Sequence, residues 1–88
     1  MTEKAIEKRL VAEIKALGGL CLKWVCPGWS GVPDRICLLP GGHVIFVELK
    51  KPTGKMSPRQ KIWRDKLEAI GCTEFVVYSL EDIAALKT

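Results

Sequence analysis

The apolar run Val44-Ile45-Phe46-Val47 is broken at once by Glu48-Leu49-Lys50, and this junction restricts the fold more than any other stretch of the chain. Four consecutive apolar residues behind the turn signal Pro40-Gly41-Gly42 read as a strand, His43 to Lys50, covered on both faces and therefore central in its sheet. In a strand, residues two apart share a face, so Glu48 and Lys50 project together while Leu49 packs on the other side. A covered carboxylate must be paired or must hold a cation, because an unpartnered one costs several kcal/mol.

The remaining elements follow from local signals. Ile6, Leu10, Ile14 and Leu17 recur at helical spacing and Gly18-Gly19 stops the pattern, which predicts a helix over Glu3 to Leu17. Leu20 to Val25 reads as a strand, and Pro27-Gly28 with Ser30-Gly31 as a loop. Asp34 opens a second strand through Leu39, which should form a hairpin with His43 to Lys50. After the loop Lys51 to Lys55, Ser57-Pro58-Arg59-Gln60 carries a cap, a first-turn proline and a capping-box glutamine. Trp63, Leu67 and Ile70 give that helix a buried face, with Gly71 as terminator. Thr73 to Tyr78 is a fourth strand, and Ser79 caps a short last helix containing Ile83 and Leu86. The order α-β-β-β-α-β-α implies one α/β domain over residues 1–88, a mixed sheet flanked by helices.

Composition narrows the function classes. With 48% apolar and 27% charged residues the chain matches ordinary globular domains, and no apolar run is long enough to span a bilayer. The N-terminal segment is charged throughout and lacks a signal-peptide core, so nothing directs the chain out of the cytoplasm. Cys21, Cys26, Cys37 and Cys72 show no C-x-x-C spacing and His43 is the single histidine, which argues against zinc and for reduced thiols filling the core. Lys50 to Lys66 holds seven of the fourteen basic residues against Asp65 alone, a block that attracts a polyanion. A solvated helix face beside a lysine-rich loop has the same composition.

One hairpin turn separates Asp34 from Glu48, so the two carboxylates meet at the sheet end. Their repulsion is relieved if a divalent cation sits between them, and oxygen ligands beside a lysine suit Mg²⁺ or Mn²⁺. Glu7 falls within the arc of the first helix that faces the sheet; Glu3 lies near it too, but at the helix start, where the helix dipole accounts for an acid. Phosphodiester cleavage would use these groups together: Asp34, Glu48 and Glu7 on the cation, and Lys50 orienting or deprotonating a water. Gln60 would bond the water or the phosphate, or serve only its helix cap. The triplet E-x-K also occurs in exposed strands as a plain salt bridge. Its conjunction with Pro33-Asp34, one hairpin away, and with a basic segment downstream sets it apart.

Gly31-Val32-Pro33-Asp34, Gly41-Gly42, Phe46-Val47-Glu48-Leu49-Lys50-Lys51-Pro52, Ser57-Pro58-Arg59-Gln60 and Gly71, in that order and spacing, resemble the VRR-NUC domains of the PD-(D/E)xK nuclease superfamily. The resemblance covers nearly the whole chain and implies an αβββαβ(α) core. It implies that Glu7, Asp34, Glu48 and the backbone carbonyl of Leu49 hold Mg²⁺ or Mn²⁺, that Lys50 is the catalytic lysine and that Gln60 is the family's helix glutamine. The chain looks like the short stand-alone members of phage or bacterial origin, which implies an endonuclease for branched DNA, four-way junctions included, acting as a homodimer. A flap or duplex nuclease working with a helicase, and a DNA-binding module without activity, are the other readings. Lys23, Trp29, Ser30, Arg35, Lys51, Lys55, Arg59 and Lys61 are the expected DNA contacts; Lys23, Trp24 and Trp29 suit either stacking on DNA or a dimer contact, and Trp24 equally the core.

Overall fold

The computed structural model describes residues 1–86. Its elements are α1 (Glu3–Ala16), β1 (Leu20–Lys23), β2 (Arg35–Leu39), β3 (His43–Leu49), α2 (Pro58–Ala69), β4 (Thr73–Val77) and α3 (Leu80–Ala85). The elements therefore come in the expected order. The sheet runs β1-β2-β3-β4, antiparallel between the first three strands and parallel between β3 and β4, with α2 making the crossover.

One face of this mixed sheet carries the core. Ile6, Leu10 and Ile14, one turn apart on α1, lie against Cys37, Ile45, Val47, Leu49 and Val77, and Ile83 of α3 closes the cluster. Caps set the helix starts: Thr2 Oγ1 accepts from Ala5 N at 3.1 Å and Ser79 Oγ from Asp82 N at 3.3 Å. Cys37 is buried, Cys21, Cys26 and Cys72 are half-buried, and none forms a disulfide. Among the described residues no helix is long and apolar enough to cross a membrane.

The second face departs from the pattern expected of the apolar run. Val44 is 47% exposed, and only Val47, Glu48 and Leu49 are buried in succession. The reason is the reach of α2, which packs on β4 and not along the whole sheet. Ile70, expected in the buried face of α2, is likewise exposed; Leu67 is the buried residue of that helix and Trp63 is half-buried.

The loop between β1 and β2 braces α2 from outside. Trp29 meets Trp63 edge-on, with ring centroids 5.6 Å apart. Gly31 lies against the backbone of Arg59 at φ +86, where an added Cβ would meet Arg59 main-chain atoms at 2.9 Å. Only a residue without a side chain fits both the space and the left-handed backbone. Gly31→Ala is expected to destabilise the fold by about 2 kcal/mol, measured by urea titration, with loss of near-ultraviolet dichroism from the Trp29–Trp63 pair; unchanged midpoint and dichroism would show that the loop does not brace the helix.

Candidate active site

Asp34 immediately precedes β2 and Glu48 is the penultimate residue of β3, and the register that pairs Arg35 with Val47 sets the two acids opposite one another. Asp34 is fixed from both sides of its own residue. Its Oδ2 accepts the Leu49 N–H at 2.8 Å and its carbonyl accepts the Trp24 N–H at 3.0 Å. Pro33, before it, is buried.

Glu48 is 2% exposed. Its Oε2 accepts from Gln60 Nε2 at 2.9 Å and lies 3.3 Å from Lys50 Nζ, whereas Oε1 has no partner. Burial, and then the charge of Asp34, push its pKa up to about 7 against the pull of Lys50. Glu48 and Lys50 thus share a face as the period of the strand requires, and Leu49, 1% exposed, packs into the core on the other.

The two readings of Gln60 turn out to hold together. Its Oε1 accepts the Ser57 N–H at 2.8 Å while Ser57 Oγ accepts the Gln60 N–H at 3.2 Å, completing the capping box. With the amide oxygen so engaged, the amide nitrogen is turned to Glu48. One side chain therefore both starts α2 and pins the buried acid.

Glu7 faces the sheet, as the helical arc predicts, and lines a cleft of about 380 Å³ with Glu3, Lys4, Lys23, Asp34 and Leu49. Its Oε2 accepts from Arg35 Nε at 2.9 Å, however, and among the described residues no three acid, histidine or cysteine side chains are gathered closely enough to hold a metal. Glu3, set aside in favour of Glu7 on the sequence, borders the same cleft. Arg35, expected to contact DNA, is turned inward instead, spending its guanidinium on Glu7 and on the Cys21 carbonyl at 3.3 Å, because β2 presents it to α1.

The other expected DNA contacts, Lys23, Trp29, Ser30, Lys51, Lys55, Arg59 and Lys61, are exposed. Lys55 and Lys61 line a second cleft of about 510 Å³ with Arg64 and Tyr78, along α2. Trp24 is half-buried and packs on Phe46 at 5.1 Å between centroids.

Glu74 on β4 is a second buried acid, one that no motif of the sequence marks. It is 6% exposed, its Oε1 has no partner, and burial, opposed by Arg64 and reinforced by Glu68, raises its pKa to about 7. The alternation of Thr73-Glu74-Phe75-Val76-Val77 held the signal: position 74 shares the α2 face with Val76.

A mixed four-stranded sheet that brings an aspartate and an E-x-K strand end together, with a helix glutamine on the glutamate, has the core of a PD-(D/E)xK nuclease. The comparisons carry this to a family. The VRR-NUC domain model matches residues 2–81, and the chain belongs to the VRR-NUC family. It is similar to "Putative nuclease p44" of Acyrthosiphon pisum secondary endosymbiont phage 1, 42% identical over 84 residues, 96% of this chain and 89% of that relative. A solved structure described as a VRR_NUC domain superposes with a TM-score of 0.91 at 32% identity, covering 99% of this chain and 96% of the other. The protein is a nuclease by family and by fold.

Two changes probe the buried acids. Glu74 has a folded-state pKa above its ordinary 4.5, so its burial weakens the fold progressively as pH rises from about 4.5 through about 7. Glu74→Gln should raise stability at pH 8 by on the order of 1–3 kcal/mol and leave it nearly unchanged at pH 4; an equal effect at both pH values in urea titrations would contradict the shift. Gln60→Ala removes the cap partner and a bond to Glu48 together, and should cost about 2 kcal/mol at pH 8; a loss below a few tenths would show that neither bond matters.

Proposed function

We propose that the protein is a Mg²⁺- or Mn²⁺-dependent endodeoxyribonuclease that cuts branched DNA, four-way junctions in particular, as a homodimer. The observation that carries the metal dependence is the Glu48 carboxylate: buried, with Oε1 unpartnered and Asp34 beside it. Such an arrangement of two acids, each with one oxygen already bonded within the protein, suits a cation that takes oxygen ligands and keeps several waters. Asp34, Glu48 and the Leu49 carbonyl would hold it, and Glu7 would join them on leaving Arg35. When bound, the cation supplies Lewis acidity toward a phosphoryl oxygen and a water of lowered pKa.

The chain's own residues do the rest. Lys50, held next to Glu48, orients the attacking water or takes its proton and offsets charge on the pentavalent phosphorus. Gln60 fixes the Glu48 carboxylate so that Oε1 alone is left for a ligand. Lys51, Lys55, Arg59 and Lys61 on the loop and on α2 track the phosphate backbone, together with Lys23, Trp29 and Ser30 of β1 and the loop that follows it.

The preference for branched DNA rests on the likeness to short stand-alone members of the family, and the two-fold symmetry of a four-way junction suits paired active sites. A nuclease for flaps or duplex working beside a helicase uses the same site, and substrate comparison separates the two. With labelled junction, flap and linear duplex, cutting is expected in Mn²⁺ or Mg²⁺, on the junction first, and is expected to vanish in chelator. Asp34→Asn and Lys50→Ala should each lower the rate by at least a hundredfold, or roughly 3 kcal/mol of barrier, while DNA affinity changes little. Cutting that survives chelator would sink the metal mechanism, and binding without cutting under every metal condition would mark a DNA-binding module instead.

A further inference from the structure

Cys21 and Cys37 stand opposite one another in the antiparallel β1–β2 pair. The Trp24 N–H donates to the Asp34 carbonyl at 3.0 Å, which marks those two residues as a hydrogen-bonded pair of the ladder. Alternation makes Leu22–Ile36 the next such pair and leaves Cys21–Cys37 at a non-hydrogen-bonded position, where side chains of neighbouring strands come nearest. Opposed residues there are about 4.5 Å apart at Cα, within the range that a disulfide spans. The sulfurs have already met: Cys37 Sγ donates to Cys21 Sγ at 3.7 Å. Closing from there to a bond of about 2 Å asks for side-chain rotation and not for movement of the strands.

The two thiols are unequal. Cys37 is sealed in the core, whereas Cys21 is half-buried on β1, the edge strand of the sheet. The Cys37 S–H on its sulfur holds the Cys21 thiol below its ordinary pKa against the effect of burial, and Arg35 adds to this against Glu7. The same bond and burial push the Cys37 thiol up. Arg35 is kept beside the pair by its bonds to Glu7 and to the Cys21 carbonyl. An oxidant can thus reach a sulfur prone to ionise, with a second thiol behind it in contact, which is the arrangement of an attacking and a resolving cysteine. Cys26 and Cys72 have no thiol in contact among the described residues.

We infer that Cys21 and Cys37 form a thiol–disulfide site whose oxidant is a hydroperoxide. The Cys21 thiolate attacks one peroxide oxygen and the O–O bond breaks. The departing hydroxide takes up the proton that Cys21 released and leaves as water; the sulfur is oxidised to a sulfenic acid as the peroxide is reduced. Cys37 Sγ then attacks Cys21 Sγ. The S–S bond forms, the S–O bond breaks, and hydroxide leaves with the Cys37 proton as a second water. A dithiol reverses the change by exchange. The bond closes the β1–β2 connection at its base, and that connection carries Trp29 and Gly31, which brace α2, and Asp34. The site is independent of the nuclease chemistry.

The test treats the whole chain with hydrogen peroxide at neutral pH, unfolds it in urea, alkylates it and reads intact mass and peptide map. Untreated protein takes alkyl groups on all four cysteines. Treated protein is expected to take them on Cys26 and Cys72 alone, with Cys21 linked to Cys37, and dithiothreitol should restore the other two. Cys21 is expected to react about tenfold or more faster than Cys26 or Cys72. In Cys37→Ala the reaction should stop at a Cys21 sulfenic acid that dimedone captures, and in Cys21→Ser the Cys37 thiol should persist. The linked chain should unfold at higher urea than the reduced one, because the bond constrains the unfolded state. A treated chain that keeps every thiol overturns the site, as do links between chains or through Cys26 or Cys72. A lowered urea midpoint overturns it too, since the bond would then form only where the sheet gives way. Should either variant fail to fold, the peptide map of the wild type decides.

Discussion

Everything around the site answers to one buried charge. A carboxylate taken out of water costs several kcal/mol unless its oxygens are matched, and Glu48 is matched on one oxygen only, by Gln60 and Lys50. Gln60 can do this because the Ser57 cap fixes which end of its amide faces the strand. The position of α2 is in turn set by Leu67 beneath it and by the β1–β2 loop, where Gly31 touches Arg59 and Trp29 meets Trp63. Residues spread over much of the chain thus serve to hold one acid where its remaining oxygen is left for something else.

Local physics made most of this legible beforehand. Apolar residues a turn apart on α1, the Pro40-Gly41-Gly42 turn and the Ser57-Pro58-Arg59-Gln60 start each act within a few residues, and their elements stand where the spacing puts them. The pairing of Asp34 with Glu48 was equally readable, because one short hairpin fixes its register. The expectations that failed depend on distances the chain does not write locally. Val44 is exposed because α2 packs on β4 and reaches β3 only near Glu48, and Ile70 because it is the cap residue at the end of α2; a strand's composition says nothing of how far a helix on its face extends. Arg35 has the charge to meet nucleic acid, yet the two-residue period of β2 presents it to α1, where Glu7 receives it.

That Arg35–Glu7 pair separates two kinds of acid at the site. Glu48 is held with an unpartnered oxygen, whereas one oxygen of Glu7 is already matched by a guanidinium. The cleft bordered by Glu3, Glu7 and Asp34 also carries Lys4 and Lys23, so opposite charges line one opening. The field inside that opening is therefore mixed, with neither sign of charge alone at its walls.

The division of the site between a hairpin and a crossover has a consequence for the growing chain. Asp34 and Glu48 are brought opposite each other as soon as β2 and β3 pair, but Gln60 and the cover of α2 come later in the sequence. Up to the end of β3 the chain contains neither Gln60 nor the helix that buries Glu48. The acid with its pKa near 7 comes into being when α2 and β4 dock, so Glu48 takes its burial and its Gln60 partner from elements that follow it in the chain.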